Sequence, residues 1–438
     1  MPATAPRLGL LIRSLNGGGM ERTALALAEA FADRGYRVSL LVGVAAGALL
    51  ARVPRTVALV PLARSPQLVA RVWAIAADRR GLREMRPLLV GAAPRMLGRL
   101  PALVRQLREQ GPDVLLALGT QSNLAALWAR RFRGIRAAIA VSEHNALSVV
   151  ARSGRPAFRR AYPALVRRAY PDADAIIAVS DGVAGDLARV AGIARERIAL
   201  IHNPVVSAAL IEKARASPPH AWLAPGGPPV VLAAGRLHRQ KDFPTLLRAF
   251  ARVVAQRPAR LVVLGEGAER RKLERLAREL RVEADVALPG FVSNPYAWMA
   301  RAAVFVLSSA WEGFGNVLVE ALACGCPVVS TDCPHGPAAI LEQGALGPLV
   351  PVGDPGALAD AILRVLAQPP DRERLRARAA RFSVDAAAER YLDVLLGAWE
   401  RARERDRHGG GPEPWRIERD TCASSSTASP EAARSGAR

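Results

Sequence analysis

Two cations and two carboxylates in the second half of the chain have the types and spacing to grip an extended, phosphate-bearing ligand. Arg236 and Lys241 stand five residues apart across one strand-to-helix loop, where Asp242 is placed as a helix cap and Pro244 falls in the first turn. Guanidinium, ammonium and helix-start amides all favour negative charge, so this loop could clamp a diphosphate without a metal. Taken alone, the pair could equally be two surface charges. Glu312 lies in the run Trp311-Glu312-Gly313-Phe314-Gly315, and Glu320 sits about two turns into the helix that this run opens. Eight residues of helix rise at most ~12 Å. That is too far for a close catalytic dyad but suits gripping two ends of an extended ligand.

These groups need elements that hold them at one edge. Short β-branched runs alternate with helical periodicity along the chain, the pattern of parallel sheets covered by helices. The first half predicts strands over Arg7 to Arg13, Tyr36 to Gly43, Asp113 to Leu118, Ile135 to Val141, Ala175 to Val179 and Arg197 to Ile201. The turn Asn16-Gly17-Gly18-Gly19 follows the first of them and leads into a helix from Met20 to Arg34. A Pro- and Gly-rich stretch, 204–227, predicts an interdomain linker. Strands are then expected at Val230 to Ala234, Arg260 to Leu264, Val286 to Leu288, Ala303 to Leu307 and Pro327 to Ser330. Ligands in such sheets sit beyond the carboxyl ends of the strands. The loops there carry Gly235-Arg236, Gly265-Glu266-Gly267, Ser308-Ser309 and the Glu312 run. The expected layout is a domain over 1–203, the linker, a second domain over 228–385, a helix over 386–407 and a disordered tail over 408–438.

Composition narrows the partners. The 438 residues are half apolar and carry a net charge of +22. Residues 1–205 hold 30 Arg against 13 acids, whereas the remainder holds 31 Lys or Arg against 26. Such asymmetry suits a first half that faces something anionic: a membrane surface, a phosphorylated lipid or nucleic acid. Arginine-biased coding is the plainer account, since only three of the 61 cations are lysine. Residues 62–110 carry ten arginines against three acids, interleaved with apolar residues, and 151–170 add six arginines and no acid. Helices of that kind can lie on anionic lipid, or simply present a solvated face. No recognition motif supports nucleic acid. The uncharged apolar stretch Val38 to Leu50 falls short of the ~20 residues that a membrane span requires. The lead into the first strand lacks a secretory pattern, so the four cysteines are expected to be reduced thiols in a cytoplasmic protein.

Several runs, in order, resemble the family-four retaining glycosyltransferases. They are Gly235-Arg236-Leu237, Gln240-Lys241-Asp242-Phe243, Gly265-Glu266-Gly267, Pro289-Gly290-Phe291-Val292, Ser309 to Asn316 and Glu320 to Val329. Gly17 to Arg22, Ser142-Glu143-His144-Asn145, Ala178-Val179-Ser180 and His202-Asn203-Pro204 add weaker support. The resemblance implies an α/β protein of GT-B fold, two Rossmann-like parallel-sheet domains facing across a cleft. It also implies sugar transfer, with retention, from a nucleotide-diphosphate sugar, and no cofactor or metal. On that basis Arg236 and Lys241 would stabilise the departing diphosphate, Glu320 would accept from the ribose hydroxyls and Glu312 would lie near the sugar. Backbone around Phe291 and Val292 would meet the base, and amides near Asn316 and Val317 would hold the nucleotide. The Gly17-Gly18-Gly19 loop would face phosphate or acceptor, and His144 would stand beside the donor sugar. The segment Ser330 to Pro337 resembles versions in exopolysaccharide and glycan-assembly enzymes. It implies a UDP-linked donor and a glycan or polyprenyl-diphosphate-linked acceptor at the inner face of a membrane.

One departure stands out: the glutamate that relatives carry just before Ile340-Leu341 is Ala339 here, with Glu342 out of register. Alternatives therefore remain, namely a nucleotide-sugar epimerase of related fold or a non-catalytic nucleotide-sugar-binding partner. Asp172-Ala173-Asp174 and the set Cys324, Cys326, Cys333 and His335 superficially resemble metal sites. The first is better read as the lead into a strand. The second is better read as small packing residues at opposite ends of a buried strand.

Overall fold

The computed structural model describes residues 5–90, 94–152, 157–217 and 220–407. The tail expected over 408–438 lies outside the described residues, as do Pro218 and Pro219 of the expected linker. Seven parallel strands form the first sheet: β1 (Leu8–Ser14), β2 (Val38–Val44), β3 (Val57–Pro61), β4 (Val114–Leu118), β5 (Ala138–Glu143), β6 (Ala175–Ala178) and β7 (Ile198–Leu200). Six form the second: β8 (Val230–Ala234), β9 (Arg260–Leu264), β10 (Val286–Gly290), β11 (Val304–Leu307), β12 (Val328–Thr331) and β13 (Leu349–Val350). Their orders are β3-β2-β1-β4-β5-β6-β7 and β10-β9-β8-β11-β12-β13. In each, the order reverses beside the first strand of its half, so β1 and β8 both sit next to a topological switch point. Loops after those strands open onto the crevice where such folds bind ligands.

The central strands are buried on both faces because helices cover each side, and they read as continuous Val, Leu, Ile and Ala runs. The two edge strands β3 and β13 go beyond the sequence expectation. β3 is apolar in sequence but half-exposed and ends in Pro61, which reads as a break, while β13 is only two residues long.

The stretch read as a linker is more structured than its composition suggests. Ser207 caps a helix, Ala208–Arg215, by accepting from the Leu210 amide at 3.2 Å. That helix is held to the second domain, since Asn294 and Arg301 donate to the carbonyls of Lys213 and Ala216 at 2.9 Å each. Its apolar residue Leu210 is buried, so burial and a cap outweigh the nearby prolines.

The last helix, Val384–Arg407, returns to the first sheet, where Ala388, Tyr391, Leu392 and Leu395 join the core formed by β1, β2 and β4. The buried Asp174 carboxylate fastens it there. Asp174 pairs with Arg130 and with Arg405 of that helix, and it accepts from the Ile139 amide at 2.7 Å. These partners account for the Asp172-Ala173-Asp174 run as a structural clamp.

Candidate active site

Lys241 and Glu312 meet at the carboxyl edge of the second sheet. The Lys241 ammonium donates to Glu312 Oε1 at 2.6 Å, and the Ser309 hydroxyl donates to the same oxygen at 2.7 Å. Both charged groups are largely buried, with side chains 17% and 9% exposed. Such a pair is stable only where the charges satisfy each other. Asp242 occupies the cap position of helix Phe243–Val254, but in a left-handed conformation with φ 44°. Its carboxylate accepts from the Thr245 hydroxyl at 2.7 Å and not from a helix amide, which corrects the expected capping bond. That start offers few free amides, since Pro244 has none and the Thr245 amide donates to the Asp242 carbonyl at 3.1 Å. Arg236 is exposed and borders an interdomain cavity that neither Lys241 nor Glu312 lines.

The loop bearing Glu312 docks directly on the first domain. A side chain at Gly313 would place its Cβ 1.9 Å from the carbonyl oxygen of His144, so only glycine permits this approach. The Ser180 hydroxyl, beyond β6, donates to the Gly313 carbonyl at 2.7 Å. His144 thus abuts the donor loop through its backbone. Its ring is buried: Nε2 shares a 3.2 Å hydrogen bond with Ser142, whose hydroxyl lies 3.4 Å from Tyr391 of the last helix. Nδ1 has no hydrogen-bond partner among the described residues. Burial pushes the His144 imidazole down to about 4, so the ring is neutral at pH 7.

Glu320 is buried about one turn into the helix Asn316–Ala323, nearer its start than the two turns expected because the helix begins only after Gly315, and Arg22 of the first domain donates to its Oε1 at 3.1 Å. The Glu320 carboxylate in turn is the chief cause that raises the Arg22 guanidinium above its ordinary range. Tyr296 stands beside both, pushed up to about 12 by burial first and then by Glu320. The Gly17-Gly18-Gly19 loop lies against the same helix start. Gly17 takes φ 96°, and a Cβ on Gly19 would lie 3.2 Å from the Asn316 side chain. Asn316 accepts from the Asn203 amide at 2.7 Å, while Val317 is only partly buried. Phe291 is 61% exposed at the rim, with Val292 half-buried beside it. Ala339 offers no side-chain contact of the kind a glutamate would make. Glu342 pairs with Arg378 at 3.3 Å, so it does not stand in for the missing carboxylate. Cys324, Cys326 and Cys333 are buried free thiols, and Cys326 donates weakly to the Ala302 carbonyl at 3.7 Å.

The site therefore draws on residues to which the sequence assigned no role: Arg22, Ser180 and Asn203, which figure in it only as members of longer runs, and Tyr296. Each lies in or beside a run with recognisable order, but its role depends on the other domain, to which sequence spacing gives no distance. Among the described residues no helix is long and apolar enough to cross a membrane.

Two facing Rossmann-like domains of GT-B fold, with cations, carboxylates and glycine loops gathered at one cleft, define a glycosyltransferase architecture. Residues 17–208 match the profile of Glycosyltransferase Family 4, and 218–382 match Glycosyl transferases group 1. The N-acetylgalactosamine-N,N'-diacetylbacillosaminyl-diphospho-undecaprenol 4-alpha-N-acetylgalactosaminyltransferase of Campylobacter jejuni is 30% identical over 299 residues, 66% of this chain and 78% of that relative. The lipopolysaccharide core biosynthesis glycosyltransferase LpsE of Rhizobium meliloti is 37% identical over 176 residues, 39% of this chain and 51% of LpsE. Among solved structures, HepE of Anabaena in complex with UDP and glucose superposes with a TM-score of 0.64 at 21% identity, covering 92% of this chain and 100% of HepE. The chain belongs to this glycosyltransferase family.

Proposed function

We propose that the chain transfers a sugar from a UDP-linked donor to a glycan or polyprenyl-diphosphate-linked acceptor in bacterial surface polysaccharide assembly. Anomeric configuration is retained and no metal takes part. The observation that carries this reading is the buried Lys241–Glu312 pair at the strand ends, with Arg236 at the adjoining mouth of the cleft. As the bond between sugar C1 and the β-phosphate oxygen breaks, the electron pair stays with the diphosphate, and Lys241 and Arg236 stabilise that charge. The acceptor hydroxyl oxygen bonds to C1 from the face the phosphate leaves, and its proton passes to a diphosphate oxygen. Glu312 orients Lys241 and borders the sugar. Neutral His144 offers a hydrogen bond there without competing for the phosphate. Glu320 takes the ribose hydroxyls in exchange for its bond to Arg22, Phe291 and Val292 border the base, and Asn316 and Val317 lie at the nucleotide.

Two relatives support the acceptor class by name, one a diphospho-undecaprenol sugar transferase and the other a lipopolysaccharide core enzyme. The complex of HepE with UDP supports the base. A peripheral place on the inner membrane face rests on helix Gln67–Ala77, which exposes Leu68, Val69 and Val72, near exposed Arg80, Arg83 and Arg86. Flotation should recover more protein with anionic than with neutral liposomes, and equal recovery would remove the membrane assignment.

Saturable binding across a panel of nucleotide sugars, followed by turnover of the tightest binder, tests the central reading. A Lys241→Met, Glu312→Gln double variant should fold yet lose turnover. Undiminished turnover in that variant would sink the mechanism.

A further inference from the structure

Beside the Lys241–Glu312 and Arg22–Glu320 pairs, and lined by none of those four residues, lies a second feature between the domains. It is a cavity of ≈ 690 Å³, a size ordinary for a small-molecule site. Five guanidinium groups border it: Arg13, Arg159 and Arg160 from the first domain, and Arg236 and Arg239 from the second. Among the described residues no Asp or Glu borders it. Like charges gathered in one concavity repel each other. The fields converge in fact: after burial, Arg239 and Arg236 are the next causes that hold His238, also on the cavity wall, below its ordinary range. A fold keeps such a cluster at a cost unless an anion offsets it.

The uncharged groups on the wall point the same way. Helix Thr120–Arg130 begins there, with Gly119 in its cap position at φ 82° and no side chain capping it. Thr120, Gln121 and Ser122 therefore bring to the cavity amides that have no carbonyl within the helix to bond. The Ser122 hydroxyl is buried, its residue 1% exposed, and it has no hydrogen-bond partner among the described residues. Arg13 Nε is likewise buried without one, and no ion pair holds Arg13, Arg160 or Arg236 among the described residues. Guanidinium forks and helix-start amides supply concentrated positive charge and donors, Gln121 and Gln240 add amide groups, and among the described residues no carboxylate on the wall opposes an anion. Such a wall suits phosphate oxygens, which accept and carry the opposite charge.

We propose that this cavity binds a phosphate or diphosphate group carried by the acceptor, with Arg13 and Arg160 as its specificity-determining residues. The inference rests on the sugar-transfer reading only for the word acceptor; the anion site itself stands on the cavity. Arg236, at the border with the donor side, would then face two diphosphates, one leaving and one that stays. A chain-terminal neutral glycan would leave the charge of this wall unbalanced.

Calorimetry on the full chain tests it, with UDP present at saturation so that the donor cleft is filled. The probes are farnesyl diphosphate, inorganic pyrophosphate and farnesol. Farnesyl diphosphate should bind saturably, farnesol should not, and Arg13→Gln with Arg160→Gln should weaken the diphosphate at least tenfold while UDP affinity holds. Pyrophosphate binding as tightly as farnesyl diphosphate would assign recognition to the anion alone; weaker pyrophosphate binding would assign it to an anion on a lipid. Either result supports the site. Arg160 is exposed, so Arg160→Glu alone gives a second variant whose folding is not at risk. Diphosphate affinity unchanged in both variants, or farnesol bound equally well, overturns the proposal. Failure of UDP to bind the wild type would instead count against the donor reading.

Discussion

The two sheets each bring a buried glutamate to their carboxyl edge, and the two are satisfied in opposite ways. Glu312, beyond β11, faces the ammonium of Lys241 and one hydroxyl. Glu143, the last residue of β5, faces only neutral donors: Tyr170, Thr120 at 3.1 Å and Asn123 at 3.2 Å. Burial pushes Glu143 up to about 7 despite those three hydrogen bonds. A cation therefore lets the second domain keep a charge where chemistry needs one. The first domain instead keeps its carboxyl poised near neutrality beneath His144, as a structural brace at the interface. Similar folds and residue types thus give different electrostatics, decided by one lysine.

The contrast can be broken most strongly at the charged pair. Lys241→Ala should destabilise the fold by about 3–5 kcal/mol, because it strands a buried carboxylate. The double variant Lys241→Met, Glu312→Gln should recover most of that by thermal melting. If leaving-group stabilisation is the role of Lys241, turnover in the double variant stays down by about 10²–10³-fold.

The neutral side is sharpened by pH. An acid whose proton is held more tightly in the folded state contributes stability that is full below about pH 4.5 and is lost as pH rises to about 7. For Glu143 this loss amounts to roughly 3 kcal/mol. His144 works the other way: its folded value near 4 means that stability is present above about pH 6.5 and is lost as pH falls towards 4. The two nearly cancel in the wild type. Urea unfolding of Glu143→Gln should therefore reveal a rise in stability from pH 4 to 6.5, and His144→Gln a fall from pH 4.5 to 7. A flat profile in both variants would remove the neutral brace.

Smaller effects follow at the partners. Glu320→Ala should weaken UDP by about tenfold or somewhat more, the scale of hydrogen bonds to a charged group, with the last helix still docked. Tyr170→Phe removes one donor from Glu143 at a cost of about 1–3 kcal/mol and should move the pH-dependent fall of stability to higher pH, since that hydrogen bond holds the carboxyl down.

The alternation of β-branched runs with helical periodicity determined two parallel sheets, the strands at their centres and the loops at their carboxyl edges. The loop positions of Gly235, Arg236, Lys241 and Glu312 at the strand ends were legible because backbone chemistry is local: a glycine after a strand and a proline in a first turn mean the same thing wherever they occur. The edge strands β3 and β13 were not legible, since Pro61 interrupts the apolar run of the first and the second is only two residues long. Nor was the helix Ala208–Arg215 inside a Pro- and Gly-rich stretch. Only the tertiary structure decided that Arg22 reaches Glu320 across 298 residues, that Gly313 rests on His144 and that the last helix closes over the first sheet. Those contacts join separate domains, and their distances depend on how two cores pack together, a quantity to which no local spacing of residues refers.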